Sequence, residues 1–287
     1  MEKDLLTTLS EGSRRFSKGQ RVIAKYILNN YDKAAFMTAG RLGKIVGVSE
    51  STVVRFASEL GYDGYPSMRK ALQEMIRNRL TSVQRIAVAK DMIDDTDIVR
   101  SVMNSDIQNL QATLEVLDEK SFNACIDSII EAKNIYIVGM RTSTSLATLL
   151  GLYLNLLRNN VNVVRDVGAS EIYEQIIRIG EGDLFIGISF PRYSSHTVDA
   201  MQFAKKAGAM SIAITDSAAS PFEGIADLSL YSKSDMVSFL DSLVAPMSLI
   251  NAIIVAVGLR NKDNVSQIFE RLETIWQEHD VYEPAER

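Results

Sequence analysis

The chain has 287 residues, 46% of them hydrophobic and 23% charged, with a formal net charge of −5. That length allows two domains with proper cores and implies a globular, soluble protein. The longest apolar stretches, 146–157 and 247–258, are interrupted by Asn155 and Asn251 and are too short for a bilayer span; the single cysteine, Cys125, permits no internal disulfide; and His196 and His279, the only histidines, make no zinc cluster.

The overall charge conceals an asymmetry. Residues 1–79 hold 14 Lys and Arg against 8 Asp and Glu, a net of +6, and the remainder carries −11. A basic first quarter on an acidic protein is the distribution expected when one domain meets phosphate and the other does not. The opening segment MEKDLLTTLSEGSRRF has no continuous apolar core of the signal-peptide type, so the expected location is the cytoplasm.

The first quarter reads as all helix. Residues 20–29 place Val22, Ile23, Tyr26, Ile27 and Leu28 on a bracing helix. The stretch 39–59, AGRLGKIVGVSESTVVRFASE, fits a helix-turn-helix. Leu42 and Val46 give a short first helix its apolar face, and Gly43 is small where the second helix crosses. Gly47 sits in a turn best served by positive φ, and Ser49 is the N-cap of a second helix whose buried face comes from Val48, Val53 and Phe56. Two amphipathic helices joined by a glycine are common in helical proteins; the charge asymmetry is what points to duplex DNA. Ser49, Ser51, Thr52 and Arg55 are the expected groove residues, with Arg55 on the exposed side.

Residues 60–66, LGYDGYP, are dense in turn signals, and 67–80 resumes a helix bearing Arg69, Lys70, Arg77 and Arg79. Residues 81–97 are polar, with Asp91, Asp94, Asp95 and Asp97, and read as a partly helical linker; 98–117 returns to helical periodicity through Val102, Ile107, Leu110, Leu114 and Leu117. Cys125 lies in an apolar helical pattern and reads as an inert core residue.

From residue 134 strands and helices alternate. Strands are expected at 134–138, 161–164, 184–188, 210–214 and 228–231, with helices at 143–157, 171–179 and 194–207. Strands this apolar, separated by helices, imply a five-stranded parallel sheet covered on both faces, with ligands bound beyond the C-terminal strand ends where strand order reverses. Those ends are rich in hydroxyls: 139–145 (GMRTSTS), 189–197 (SFPRYSSHT) and Thr215-Asp216-Ser217. Two of these loops run into helix N-termini, where free N–H groups and the helix dipole favour an anion, and each carries an arginine, Arg141 and Arg192. Ser and Thr are also ordinary N-caps, so helix termination is the competing reading.

The chain resembles the RpiR family of bacterial transcription regulators, whose second half is a SIS, or sugar-isomerase, domain. The resemblance rests on GVSESTVVRF followed by LGYDGY, then ISFPRYSSHTVDAMQFAKKAGAMSIAITD, and covers nearly the whole length. It implies a DNA-binding regulator controlled by a phosphorylated sugar or related anionic metabolite. The usual SIS loop S-x-S-G-x-T keeps Ser189 and, at the threonine, Ser194, while Pro191 and Arg192 replace the intervening serine and glycine; G-x-G-x-S keeps Gly139 and Ser143 with Arg141 at the second glycine. Ser143, Ser189, Ser194 and Ser195 are expected around the anion, with Arg141 and Arg192 either as charged partners or filling the pocket.

The domains are expected at 1–79 (helix-turn-helix), 80–105 (linker) and 106–287 (SIS). A sugar-phosphate isomerase or lyase with an accessory helical domain is the alternative, for which His196 and Glu171 are the nearest general-base residues. The altered serine loop argues against it, and no catalytic residue, metal or cofactor is expected. One recognition helix buries little, so a homodimer or higher homo-oligomer on an operator is expected, with the apolar stretch 236–259 as core helix or subunit surface.

Overall fold

The computed structural model describes residues 5–12, 16–76, 81, 83–86, 97–165, 168–236 and 240–282. The chain forms two compact units: Met1–Asn104 with Met236–Asp241, and Ser105–Asp235 with Ser242–Arg287.

The first unit is helical, with α1 (Leu5–Gly12), α2 (Lys18–Asn29), α3 (Tyr31–Ala34), α4 (Ala39–Val46), α5 (Glu50–Glu59) and α6 (Gly64–Ile76). Amphipathic spacing brings Leu9, Ile23, Ile27, Leu42, Val53, Phe56, Met68 and Leu72 into one core. A capping box starts α2: the Gln20 amide donates to Ser17 Oγ and the Ser17 amide to Gln20 Oε1. Helix α6 begins at Gly64, three residues before the sequence-based start. Pro66 falls in its first turn, where N–H groups have no intrahelical acceptor and a proline fits. The last residues of the expected helix, 77–80, and most of the expected linker lie outside the described residues.

Helix α7 (Ile98–Val116) leads from the first unit into the second. Its buried residues are polar, Asn109 and Thr113, while Ile107 and Leu114 of the expected apolar stripe are exposed. Asn109 and Thr113 bond the backbone of Asp235 and Lys233, and these partners satisfy the polar groups that the inward face of α7 buries.

The second unit continues with α8 (Glu119–Glu131), β1 (Ile135–Gly139), α9 (Ser143–Leu157), β2 (Val161–Val164), α10 (Ala169–Ile176), β3 (Leu184–Ile188), α11 (Ser195–Lys206), β4 (Met210–Thr215), β5 (Leu228–Tyr231), α12 (Val244–Arg260) and α13 (Lys262–Glu278). The five strands pair in parallel in the order β2-β1-β3-β4-β5. Alternate strand residues serve opposite layers. Ile135, Ile137, Ile186 and Ile214 pack with Cys125 and Ile129 of α8, Leu146 and Leu150 of α9, and Ile250 and Ile253 of α12. Tyr136, Val138, Phe185 and Ala213 pack with Ile172 and Ile176 of α10 and Met201 and Ala204 of α11. Both faces are therefore covered, which is why β1 and β3 are buried along their whole length.

The 236–259 stretch is not one helix. Met236 and Asp241 form an antiparallel bridge in the first unit, and α12 starts only at Val244, burying Ala245, Leu249, Ile250, Ile253 and Val257. Its buried side bears out the core reading, and its outer side leaves Val255 and Leu259 exposed. Among the described residues no single helix is long and apolar enough to cross a membrane.

Candidate functional site

Two surfaces carry the expected chemistry, one in each unit. In the first, α4 ends at Gly47 with φ 75°, a left-handed C-cap, and an added Cβ at Gly43 would stand 2.8 Å from the Val48 carbonyl oxygen. These two glycines set the turn and let the helices approach. Ser49 then caps α5, its Oγ accepting from the Thr52 amide at 3.3 Å and lying 2.9 Å from Ser51 Oγ and 2.8 Å from Thr52 Oγ1. Val53 and Phe56 point into the core with no exposure, which turns Ser51, Val54 and Arg55 to the surface. Thr52 is half-buried. The expected groove residues thus gather on the first turn and a half of α5, with Ser49 committed first to holding the helix start. Arg41 and Lys44, on α4, are also exposed.

In the second unit, strand order reverses between β1 and β3, whose crossovers run to opposite sides of the sheet. Gly139 and Ile188 are register partners there, so loops 140–142 and 189–194 rise side by side beyond the strand ends. Open α/β sheets bind their ligands in this crevice. Gly139 is required by close approach, since a Cβ would sit 2.5 Å from the Ser143 carbonyl oxygen.

The two helix starts differ. At α9 the turn spends its own amides: Ser143 on Met140 O, Thr144 on Arg141 O and Ser145 on Thr142 O, while Thr144 Oγ1 donates to Gly139 O at 2.9 Å. Ser143 is buried against this turn. At α11 the Ser194 amide donates to Ser189 Oγ at 3.1 Å, and Ser194, although the N-cap, makes no capping bond with its own hydroxyl. Ser195 and His196 are exposed on the first turn, and the buried Thr197 has an Oγ1 without a hydrogen-bond partner. The α11 start keeps hydroxyls and first-turn amides in hand; the α9 start does not.

Arg141 and Arg192 stand where the SIS pattern has glycine, and both take glycine's conformation, with φ of 57° and 65°. Both residues are exposed. Left-handed backbone at a long side chain costs about 1–2 kcal/mol.

Sequence reasoning gave no role to two residues beside this crevice. Tyr193 Oη donates to Asp216 Oδ1 at 2.6 Å, and Asp216, 6% exposed just past β4, also accepts from Thr215 Oγ1 at 3.3 Å and Ser217 Oγ at 3.4 Å. The tie fixes the 189–194 loop to the next strand. The signal was present as an acidic residue closing a hydroxyl-rich strand end. His196 and Glu171 are both exposed, and Glu171 accepts from Ser170 Oγ. Cys125 is fully buried, and burial pushes its thiol up to about 12, which makes it inert as expected.

Comparison with known proteins matches both units. Residues 3–79 match the helix-turn-helix domain of the rpiR family, and residues 128–256 match the SIS domain. An uncharacterized HTH-type transcriptional regulator of Caldanaerobacter subterraneus subsp. tengcongensis is 23% identical over 93% of this chain and 95% of its own. The HTH-type transcriptional regulator HexR of Pseudomonas aeruginosa is 26% identical over 90% of each chain. Among solved structures, the sugar isomerase domain of an RpiR transcription factor from Sphaerobacter thermophilus superposes with a TM-score of 0.59 at 28% identity, covering 62% of this chain and 99% of that one. The Vibrio vulnificus NanR protein complexed with ManNAc-6P shares the fold over 94% of this chain and 97% of its own, with a TM-score of 0.55 at 22% identity. With a basic helix-turn-helix unit, a SIS unit and both family matches in chain order, the protein belongs to the RpiR family.

Proposed function

We propose that the protein is a DNA-binding transcription regulator whose SIS domain binds a phosphorylated sugar or related anionic metabolite. The observation that carries it is the α4–α5 geometry, in which a left-handed Gly47 and a close contact at Gly43 present Ser51 and Arg55 outward from a basic unit. Ser49, Ser51, Thr52 and Arg55 are assigned to the duplex, with Arg55 as the base reader and the hydroxyls on phosphate or base edges. Residues 1–79 form the DNA-binding domain, 80–105 the connection and 106–287 the effector domain.

For the effector, Ser189, Ser194 and Ser195 and the first-turn amides of α11 supply neutral donors, and Arg141 and Arg192 supply charge from the rim. Ser143 belongs to the site as the residue that shapes its α9 wall. Support comes from the unspent hydroxyls at α11 and the two left-handed arginines. The ManNAc-6P complexed with the Vibrio vulnificus NanR protein, and the regulator names of the relatives, point the same way.

We assign the chain no catalytic activity: its relatives carry the names of transcriptional regulators, and Pro191 and Arg192 replace the serine and glycine of the SIS loop. A homodimer in the cytoplasm completes the proposal. The exposed Val255 and Leu259 of α12 and Leu152 of α9 offer apolar surface for a second copy. The test is fluorescence anisotropy on duplexes enriched by the protein from genomic fragments, at several salt concentrations. A steep loss of affinity with salt and a shift on adding one member of a sugar-phosphate panel support the proposal; salt-independent binding or turnover of the sugar phosphate overturns it.

A further inference from the structure

The outward stripe of α5 holds one residue that the assignments above leave without a role. Ser51, Val54, Arg55 and Ser58 are all exposed and recur at the i, i+3, i+4, i+7 spacing of a single helix face. Val53, Phe56 and Ala57 take the inward face and have no exposure, whereas Val54 is 39% exposed. Helix stability does not ask for valine there, because a β-branched side chain loses χ1 freedom in a helix.

The hydroxyls around Val54 are engaged with one another or with the backbone. Ser49 Oγ lies 2.9 Å from Ser51 Oγ and 2.8 Å from Thr52 Oγ1, and Ser58 Oγ donates to the Val54 carbonyl at 3.4 Å. Glu50, the acidic residue of the first turn, folds back over α4: its Oε2 stands 3.1 Å from where a Cβ on Gly40 would be. The middle of the stripe therefore presents two chemistries to a partner, the guanidinium of Arg55 and the methyls of Val54.

Cations flank this stripe. A Cβ on Gly19 would lie 3.6 Å from Thr52 Cγ2 and 3.7 Å from Val48 Cγ1, so the start of α2 rests against the start of α5 and brings the exposed Lys18 and Arg21 beside it. Arg41 and Lys44 are exposed on α4, which approaches the start of α5 closely at Gly43. An apolar side chain among positive charges suits a polyanion that carries an apolar group at its reading edge, and it suits a second copy of the same positive surface poorly. In the major groove of DNA that apolar group is the C5 methyl of thymine.

We propose that Val54 is a specificity-determining residue that reads a thymine methyl. The proposal rests on the DNA-binding reading given above and names one base of its target. That thymine stands about one or two base pairs from the guanine that Arg55 reads, since adjacent helix residues rise by about 1.5 Å and adjacent base pairs by about 3.4 Å. A thymine methyl packed on Val54 leaves water on binding, and uracil, which pairs in the same way, has no methyl to bury.

The experiment selects duplexes from a random library with the full chain, then replaces each thymidine of an enriched duplex in turn by deoxyuridine. Fluorescence anisotropy measures wild type and Val54→Ala on every duplex, with thermal melts and sedimentation of both proteins. The expected result is one thymine per half-site whose replacement weakens wild type by roughly fourfold, the worth of one buried methyl group. Val54→Ala should bind the thymine duplex more weakly and lose nothing further on deoxyuridine, so that the two changes are coupled. Alanine is the better helix former, so the melts should agree. A wild-type scan in which no thymine carries the effect overturns the proposal without any variant. A loss that persists undiminished in Val54→Ala belongs to the duplex itself and also overturns it. So does a Val54→Ala protein that changes only its sedimenting mass, which would make Val54 a contact between copies. In these three cases the enriched sequences leave the DNA-binding reading standing; a wild type that enriches no sequence removes both.

Discussion

The amide of Ser194 is bound by the hydroxyl of Ser189, five residues earlier, at 3.1 Å. The last residue before α11 is thereby held by the first residue after β3, and the Ser194 hydroxyl is left for other work. Ser189→Ala should cost about 1 kcal/mol of stability, because a part-buried amide loses its acceptor. The same change should weaken sugar-phosphate binding more than the stability loss alone explains. Urea midpoints and a phosphate titration on the same sample measure both; an unaltered titration removes Ser189 from the site.

Arg141 and Arg192 give a prediction of opposite signs. Arg192→Gly relieves a left-handed backbone, worth about 1 kcal/mol after allowance for the added freedom of glycine in the unfolded chain, so stability should hold or rise. Loss of a charge-assisted contact should weaken anion binding by about 1.5–3 kcal/mol. Higher stability with unchanged anion affinity would show that Arg192 does not meet the ligand.

Arg55→Ala should weaken operator binding by about 1–3 kcal/mol with no change in thermal stability, since Arg55 is exposed and reads a guanine edge in this account. Anisotropy on enriched duplexes checks it, with Arg55→Lys expected to restore part of the charge and little of the sequence preference.

The two turn glycines should rank in a fixed order. Gly43→Ala drives a methyl to 2.8 Å from the Val48 carbonyl, a backbone atom that cannot step aside, and should cost about 1–3 kcal/mol together with DNA binding. Gly47→Ala meets no atom within 4 Å and carries only the strain of φ 75°, about 1 kcal/mol, and Gly47→Asn less. Thermal melts of the three variants test the order, and equal losses at both glycines would contradict the close crossing.

Acid stability should depend on Asp227. Burial raises its carboxyl, but hydrogen bonds from Ser211 and Lys205 outweigh that and hold it below the ordinary 3.8. A carboxyl lowered by folding adds stability above its unfolded value and loses it as pH falls through the folded one, so the effect fades below about pH 4. Asp227→Asn should flatten the fall of the urea midpoint on that acid limb. An unchanged acid limb would show that the Ser211 and Lys205 bonds do not favour the charged form in solution.

Much of this architecture was readable from residues alone. Strand β3 falls at the expected 184–188 because a strand buried on both faces is a continuous apolar run, and the partly buried edge strands β2 and β5 fall at 161–164 and 228–231 as short runs rich in β-branched or apolar residues. Gly43 and Gly47 were readable because each meets a steric requirement that only glycine fulfils at no cost. The buried side of α7 was not, since Asn109 and Thr113 face inward on account of backbone partners more than a hundred residues away, which local periodicity cannot register. The membership of Met236 and Asp241 in the first unit was hidden for the same reason: Asp241 accepts from Arg85, and nothing in the spacing announces that Arg85 is buried. At the crevice, the alignment of Arg141 and Arg192 with pattern glycines foretold where to look, and their positive φ is what only the structure supplies.

The central claim is a DNA reader governed by an anion, and one titration addresses it directly: operator anisotropy of wild type and Arg192→Ala across a sugar-phosphate panel. The account predicts that at least one sugar phosphate shifts wild-type affinity, that the shift is lost in Arg192→Ala, and that the variant's ligand-free DNA affinity is retained. An Arg192→Ala protein that responds at the same metabolite concentration as wild type, or a wild type that selects no duplex over random DNA, would contradict it.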